Sequence, residues 1–577
     1  MKPRTLALLA VVLLLGWLFL SVFVCDVPVR RGEAVLLAIN DVYRLEGVDR
    51  GEAGGLARVR ALRRELERRH PDLLTFLAGD FLFPSLLGDT YQGRQMVDIL
   101  NRLDGRANRF DPRFLVTFGN HEFDEDGAEG EEILKARIGQ SEFRWLATDV
   151  DFEDGFASAA GNAESGPFDT VIRWSGGLRV GVFSLTTSQK HPEYVERFDD
   201  SRSVARAASR LLRERGADVV VALTHLPMKE DRAILEELGP DGPDLILGGH
   251  DHARHVEEIG GRWLVKADAE ARSATVVHVR RERGGRPEIS VGYRLLGASV
   301  EGDPRVAARV GGWLDEHQRE VCGDDTGCLD RPIGSTAVRL VAEEDEIRRY
   351  ETNLGNWVAD EARRALGGDV AFVNAGALRL NYDLPPGPIT EREIRELVAY
   401  EDSELVAIEV PGSILREVVE RAVEEWEGSG HFLQVSGFAF RHDPDDRDDG
   451  IDGDLVRVEA ANGAPATTPI RPDERLRAVT LRYVAGGGDG YGMLEGLPEL
   501  DPPAADAARE RRKLRRVLRE ALRGREISPR LEGRICNTRR PDLECAVPET
   551  EPEPRAGEAE SEQPAADESP PGSAPPS

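Results

Sequence analysis

The chain has 577 residues and a formal net charge of −30, long enough for about two to four domains with substantial cores. No basic stripe is evident along it, which excludes a nucleic-acid backbone as partner, and its acidity disfavours long-range steering of anions. A phosphate-bearing substrate therefore needs bound cations to invert the local field.

Lys2 and Arg4 precede residues 6–24, an apolar run without charge. The run is long for a signal-peptide core and near the minimum for a membrane span. Its positive flank predicts a cytoplasmic N-terminus and an exported body, periplasmic or at the cell surface. Cys25 ends the run, but Val22, Phe23 and Val24 make a poor lipoprotein motif, and no clear Ala-x-Ala-like site follows. An uncleaved signal anchor is expected within residues 1–30, with a cleaved signal peptide as the alternative.

Residues 35–40 read as a short apolar strand ending at Asp41, and residues 55–69 have helical periodicity. Residues 73–78 form a second buried strand ending at Gly79-Asp80, and residues 114–118 a third ending at Gly119-Asn120-His121. Further strands are expected at 180–185, at 219–223 before Thr224-His225, and at 245–247 before Gly248-Gly249-His250. Helical stretches at 203–215 and 229–238 lie between them. This alternation implies an α/β layered domain whose strand ends carry the polar residues, the place where open α/β sheets bind ligands.

Residues 301–332 read as a connector with a helix at 304–321. A second α/β segment begins near Ile333, with a helix at 351–366, a strand at 370–373 and a basic helix at 505–523. Cys322 with Cys328, and Cys536 with Cys545, enclose short loops and are expected to form local disulfides in an oxidising compartment. Neither pair has zinc-site spacing. The acidic stretch 442–454 fails the EF-hand template, because Arg447 takes a ligand position and no glutamate closes the loop; a solvated hairpin loop is expected. From about residue 547 the chain is rich in Pro, Glu, Ser and Ala and is expected to be a disordered tail.

Asp41, Asp80, Asn120, His225, His250 and His252 offer mixed oxygen and nitrogen donors, which suit Zn, Mn, Fe or Co. Two such ions about 3.5–4 Å apart clamp a phosphoryl oxygen and generate hydroxide at neutral pH. His121 adjoins Asn120, and Asp124 is spaced to fix its tautomer, giving a charged donor for the transition state or leaving group. Singly, each residue has a plainer reading: Gly79-Asp80 as a turn, Thr224-His225 as a core histidine. Jointly that reading fails, since four of the chain's 11 histidines fall in these slots.

Gly79-Asp80, residues 119–124 (G-N-H-E-F-D), Thr224-His225 and residues 248–252 (G-G-H-D-H), in this order, resemble the calcineurin-like metallophosphoesterases. Residues 348–356, 374–379, 432–437 and 487–491 resemble the C-terminal substrate domain of the 5′-nucleotidase family, and the likeness spans about residues 33–536. The resemblance implies an α/β protein: a four-layer β-sandwich flanked by helices over residues 33–300, and an α/β substrate-binding domain over residues 333–538. It implies two divalent ions, one on Asp41, Asp80 and His252, the other on Asp80, Asn120, His225 and His250, with Asp80 bridging. His121 and Asp124 would be the catalytic dyad. Arg348, Asn374 and Arg379 match substrate-holding residues, Tyr400 and Tyr483 the aromatic rings that sandwich the base, and Asp489 a ribose-binding acid. Core packing is the plainer reading of the two tyrosines.

The activity so implied is metal-dependent hydrolysis of nucleotide phosphate monoesters by a metal-bound hydroxide, outside the cytoplasm. Relatives that act on nucleotide sugars, 2′,3′-cyclic nucleotides or thiosulfate-related anions supply one alternative. A catalytically weak surface nucleotide-binding protein is another, and the retained His121 and Asp124 argue against it. One position departs from the family: its D-x-H is here Asp41-Val42-Tyr43. Tyr43 as a phenolate ligand would favour ferric iron; otherwise water fills the vacancy, or one ion is held tightly and the other loosely. The last two are favoured, because ionising a phenol with a pKa of about 10 needs strong metal assistance.

Overall fold

In a computed structural model, residues 32–153, 156, 170–281, 285–424, 426, 430–444, 450–459, 465–502 and 505–547 are described. The expected N-terminal anchor, the tip of the acidic loop and the tail from residue 548 lie outside these residues. Among the described residues, no helix is long and apolar enough to cross a membrane.

Two six-stranded sheets make the N-terminal half. The first runs, in spatial order, Glu288–Leu295, Ser273–Arg280, Glu33–Ile39, Leu74–Ala78, Phe114–Thr117 and Arg144–Leu146. The second runs His255–Ile259, Arg262–Lys266, Leu245–Gly248, Val219–His225, Leu178–Thr186 and Thr170–Ser175. Strand alternation builds the layers. Val35, Leu37 and Ile39 pack with Leu56, Val59 and Leu62 of the helix Leu56–Glu67. Their neighbours Ala34, Leu36 and Ala38 pack instead with Val219, Val221 and Leu223 of the other sheet. The far side of the second sheet is covered by the helices Ser201–Glu214 and Met228–Leu238 through Ala205, Leu212, Ile234 and Leu235. The result is the expected helix–sheet–sheet–helix order. Each fully buried Leu or Val contributes about 1.5–3 kcal/mol.

The C-terminal half is built on a five-stranded sheet, in the order Leu433–Ser436, Val370–Asn374, Arg475–Leu481, Leu405–Pro411 and Glu499–Leu500. The helix Asn353–Leu366 starts where the Thr352 side chain accepts from the Gly355 N–H, and packs on this sheet through Leu354, Val358 and Ala362. Strands Phe438–His442 and Ile451–Glu459 pair antiparallel on either side of the acidic stretch. The helix Pro304–Cys322 lies against the N-terminal half, where Asp98 accepts from Trp313 at 2.9 Å and Arg309 at 2.5 Å. Cys322–Cys328 and Cys536–Cys545 are both disulfide-bonded, with Cα atoms 5.7 and 5.5 Å apart.

One expected element is wrong. The basic stretch 505–523 is not a single helix but two, Asp506–Glu510 and Leu514–Leu522. The break gives the backbone to a neighbouring strand: the Leu405 N–H donates to the Arg512 carbonyl at 2.9 Å, and the Leu514 N–H to the Ser403 carbonyl at 2.8 Å.

Candidate metal centre

The five sequence blocks meet at one edge of the two sheets. Asp41 follows Glu33–Ile39, Asp80 follows Leu74–Ala78, and Asn120 and His121 sit in a single 3-10 turn after Phe114–Thr117. His225 ends its own strand, and His250 and His252 follow Leu245–Gly248. Glu33–Ile39, Leu74–Ala78 and Phe114–Thr117 are mutually parallel, as are Val219–His225 and Leu245–Gly248, so their carboxyl ends converge. Asp41, Asp80, His250 and His252 have φ of 51°, 55°, 81° and 59°. Such left-handed backbone costs a side-chain-bearing residue about 1–3 kcal/mol and concentrates at functional sites. A Cβ on Gly119 would stand 2.1 Å from Asp80 Oδ1, so that position admits no side chain.

Donor atoms of Asp41, Asp80 and His225 all lie within 4.8 Å of one another. His225 donates from Nδ1 to the Ala78 carbonyl at 2.7 Å. That leaves Nε2 aimed at the carboxylates, 3.2 Å from Asp80 Oδ2 and 3.9 Å from Asp41 Oδ1. Burial opposes charge on His225, but Asp80 and Asp41 outweigh it and raise its pKa to about 9. Burial, reinforced by His225, pushes His250 down to about 3, so its ring is neutral. Asn120 Oδ1 is buried without a hydrogen-bond partner. Leaving such an atom unpaired costs about 1–3 kcal/mol, and a cation relieves it. Asp80, Asn120, His225 and His250 therefore fit a borderline divalent ion, which would displace the proton on His225.

Two acids that the sequence reading missed hold these loops. Buried Glu122 accepts from the backbone N–H of Asp80 at 2.8 Å, Phe81 at 2.8 Å, Leu82 at 3.1 Å and Gly119 at 2.6 Å. It thereby ties the loop bearing Asp80 to the turn bearing Asn120. Its signal was its place inside G-N-H-E-F-D, between the candidate ligand Asn120 and Asp124. Glu270 accepts from the N–H of Tyr43 at 3.1 Å and of Arg44 at 3.0 Å.

Tyr43 lies among the residues expected to hold the other ion. Its buried hydroxyl is 3.0 Å from Asp80 Oδ2 and 3.0 Å from His252 Nε2. Burial, then Asp80 and Asp41, raise the phenol pKa well above its usual value, so it stays protonated and donates to Asp80. His252 Nε2 is also 3.2 Å from Asp41 Oδ1, and its Nδ1 bonds Glu344. Burial lowers the His252 pKa, but Glu344 and Asp41 outweigh it and raise it to about 10. An ion on Asp41, Asp80 and His252 must therefore move the phenol or take its proton, and take the Nε2 proton of His252.

His121 Nδ1 lies 3.0 Å from both oxygens of Asp124, as the spacing predicted. Its Nε2 accepts from Arg379 at 3.0 Å. Burial, only partly offset by Asp124, lowers its pKa. The ring is thus neutral in this arrangement, with Arg379 on its Nε2. Lys190, unmarked in sequence, pairs with Asp124.

The expected substrate residues fall in two groups. Arg379 sits by the metal residues, its guanidinium carbon 5.9 Å from the ring centres of Tyr43 and Tyr400. Arg348 joins this group by pairing with Glu344. In the second group, Asp489 accepts from Asn374 at 2.7 Å and from the Tyr483 hydroxyl at 2.8 Å. Tyr483 is 57% exposed, so core packing does not account for it.

Residues 34–254 match the family described as calcineurin-like phosphoesterase, and residues 332–496 match the 5′-nucleotidase C-terminal domain. The chain belongs to the 5′-nucleotidase-type calcineurin-like phosphoesterases. As a member of that family it is a phosphatase-type hydrolase. This phosphoesterase is 25% identical to the snake venom 5′-nucleotidase of Naja atra over 512 residues, covering 80% of this chain and 92% of that protein. It is 23% identical to human 5′-nucleotidase over 518 residues, covering 80% and 84%. A 25% match to the trifunctional nucleotide phosphoesterase protein YfkN of Bacillus subtilis covers 81% of this chain but only 33% of that longer protein. Among solved structures, the 5′-nucleotidase precursor of Thermus thermophilus superposes with a TM-score of 0.72 at 23% identity, covering 88% of this chain and 99% of that one. The sulfate thiohydrolase SoxB of the same organism gives a TM-score of 0.66 at 18% identity, covering 88% and 97%. The phosphoesterase shares its fold with both.

Proposed function

We propose that this phosphoesterase is a metal-dependent nucleotide phosphomonoesterase acting outside the cytoplasm. The observation that carries the reading is Arg379, a cation of the C-terminal half that reaches His121 at 3.0 Å beside the buried metal residues. A phosphate held by that guanidinium lies next to both the metal centre and the dyad.

In this reading residues 33–300 are the catalytic domain, 301–332 the connector and 333–538 the substrate domain. Asp80, Asn120, His225 and His250 would hold one ion tightly, and Asp41, Asp80 and His252 would hold a second more loosely. Zn, Mn, Fe and Co all suit these donors. Bound there, the ions supply charge for the phosphoryl oxygens and lower the pKa of the attacking water. Arg348 and Arg379 grip the phosphate through paired N–H donors. When Arg379 turns to phosphate it vacates His121 Nε2, which then holds a proton for the leaving ribose oxygen while Asp124 steadies the imidazolium. Tyr400 and Tyr483 stack the base, a contact of about 1–3 kcal/mol per ring. Asn374 and Asp489 hold the ribose side. The two disulfides and the apolar N-terminal run support export, with residues 6–24 as the tether.

The test is phosphate release from AMP, with chromatography of the monophosphates formed from UDP-glucose and 2′,3′-cyclic AMP, by protein reconstituted with Mn or Zn, repeated with His121→Ala. Release from AMP, lost in the variant, is expected. No release from any nucleotide by fully metallated protein would overturn the reading.

A further inference from the structure

We infer that Glu344, on the C-terminal half, is a positioning residue for His252, so that the loosely held ion keeps its site only while the two halves of the chain are together. The inference rests on the metal assignment proposed above and adds a residue to it.

His225 and His252 are arranged alike. Each points Nε2 at the Asp41–Asp80 pair, at 3.2 Å from Asp80 and 3.2 Å from Asp41 respectively. Each has its Nδ1 tied off, which fixes the ring and leaves Nε2 to the site. For His225 the tie is the Ala78 carbonyl, on a strand of the same half. For His252 it is the Glu344 carboxylate, 92 residues further along the chain. Among the described residues, Glu344 is the one hydrogen-bond partner of His252 Nδ1.

The turn that carries Glu344 is braced. Asp383 accepts from the N–H groups of Ala342 at 2.8 Å and Glu343 at 3.1 Å. From the N-terminal half, Arg272 reaches Glu343 at 3.0 Å and the Asn381 carbonyl at 2.6 Å. Glu344 is itself buried and faces three cationic groups: His252, Arg348 and, at 3.8 Å, Arg379.

A carboxylate on the far nitrogen of a ligand histidine orients the ring and raises its basicity; losing it typically costs about 10–100-fold in metal affinity. Here that support matters more, because the neighbouring Tyr43 offers a protonated phenol and not an imidazole to the same group of residues. Since Glu344 moves with the half that carries Arg348 and Arg379, separation of the halves withdraws it. By reciprocity, a nucleotide that draws the halves together tightens the ion by the factor with which the ion tightens the nucleotide.

The experiment is a Mn2+ titration of full-length protein followed by electron paramagnetic resonance, for wild type, Glu344→Gln and Glu344→Ala. Wild type is expected to bind one Mn2+ tightly and one weakly. Both variants should weaken the second class about 10–100-fold and leave the first unchanged, which also shows the fold intact. A non-hydrolysable AMP phosphonate should tighten the second class in wild type and not in Glu344→Ala. An unchanged second class in both variants, a wild type with one Mn2+ only, or loss of the tight class alongside the weak one would each overturn the inference. The titration without nucleotide is independent of phosphate release, so failure here and failure of the nucleotidase reading are told apart.

Discussion

Replacing Tyr43 by Phe removes one oxygen and leaves the ring in place. That oxygen bonds Asp80 Oδ2 and His252 Nε2, each at 3.0 Å, in a buried site. Hydrogen bonds to charged partners contribute about 1.5–3 kcal/mol each, and two that share an oxygen are not fully additive, so a loss of about 3 kcal/mol is expected without metal. For an N-terminal half of this size that corresponds to a fall of roughly 6–12 °C in its thermal midpoint. An ion on Asp41, Asp80 and His252 takes over the partners of the hydroxyl, so in saturating Mn2+ the deficit should shrink to about 1 kcal/mol or less. The assay is differential scanning fluorimetry of wild type and Tyr43→Phe, in EDTA and in Mn2+. An equal deficit in both conditions would show that the hydroxyl and the ion do not compete, and no deficit in EDTA would remove the hydroxyl's bridging role.

Glu122→Ala should leave four backbone N–H groups without their acceptor and free the loop of Asp80 from the turn of Asn120. A loss of about 3–5 kcal/mol is expected, with loss of the tight metal class, read by thermal midpoint and metal content; a variant that keeps both would contradict the clamp. Burial and then Glu396 raise the Glu46 pKa to about 7. Because the folded value lies above the unfolded one, this contribution to stability is whole below about pH 4.5 and gone once pH has risen past about 7, at most about 3 kcal/mol. Urea denaturation at pH 5 and pH 8 should show that decline in wild type and a smaller one in Glu46→Gln; parallel declines would contradict it.

The candidate metal residues were legible because each lies at or just after the end of an apolar strand, and parallel strands can deliver such ends only to one edge. Asp124 was legible from its spacing to His121, and the 3.0 Å contacts bear that out. Tyr43 was legible as a departure, but its bridge between Asp80 and His252 depends on loops 37 and 209 residues away. Glu344 stands in a Glu-Glu-Asp-Glu run that reads as solvated surface, and only the packing of one half on the other brings it to His252. Lys190 is a lone cation in a loop. The 505–523 helix failed because backbone pairing with Ser403 and Leu405 outweighed local propensity, which is a weak prior wherever tertiary partners are at hand.

Phosphate release from AMP, measured on one preparation stripped with EDTA and then reloaded with Mn2+, in wild type and Asp80→Ala, tests the central claim most directly. The account predicts no release from stripped protein, recovery on reloading, and no recovery in Asp80→Ala, which loses the carboxylate shared by both proposed ion sites. Release that survives stripping, or that Asp80→Ala retains, would contradict it.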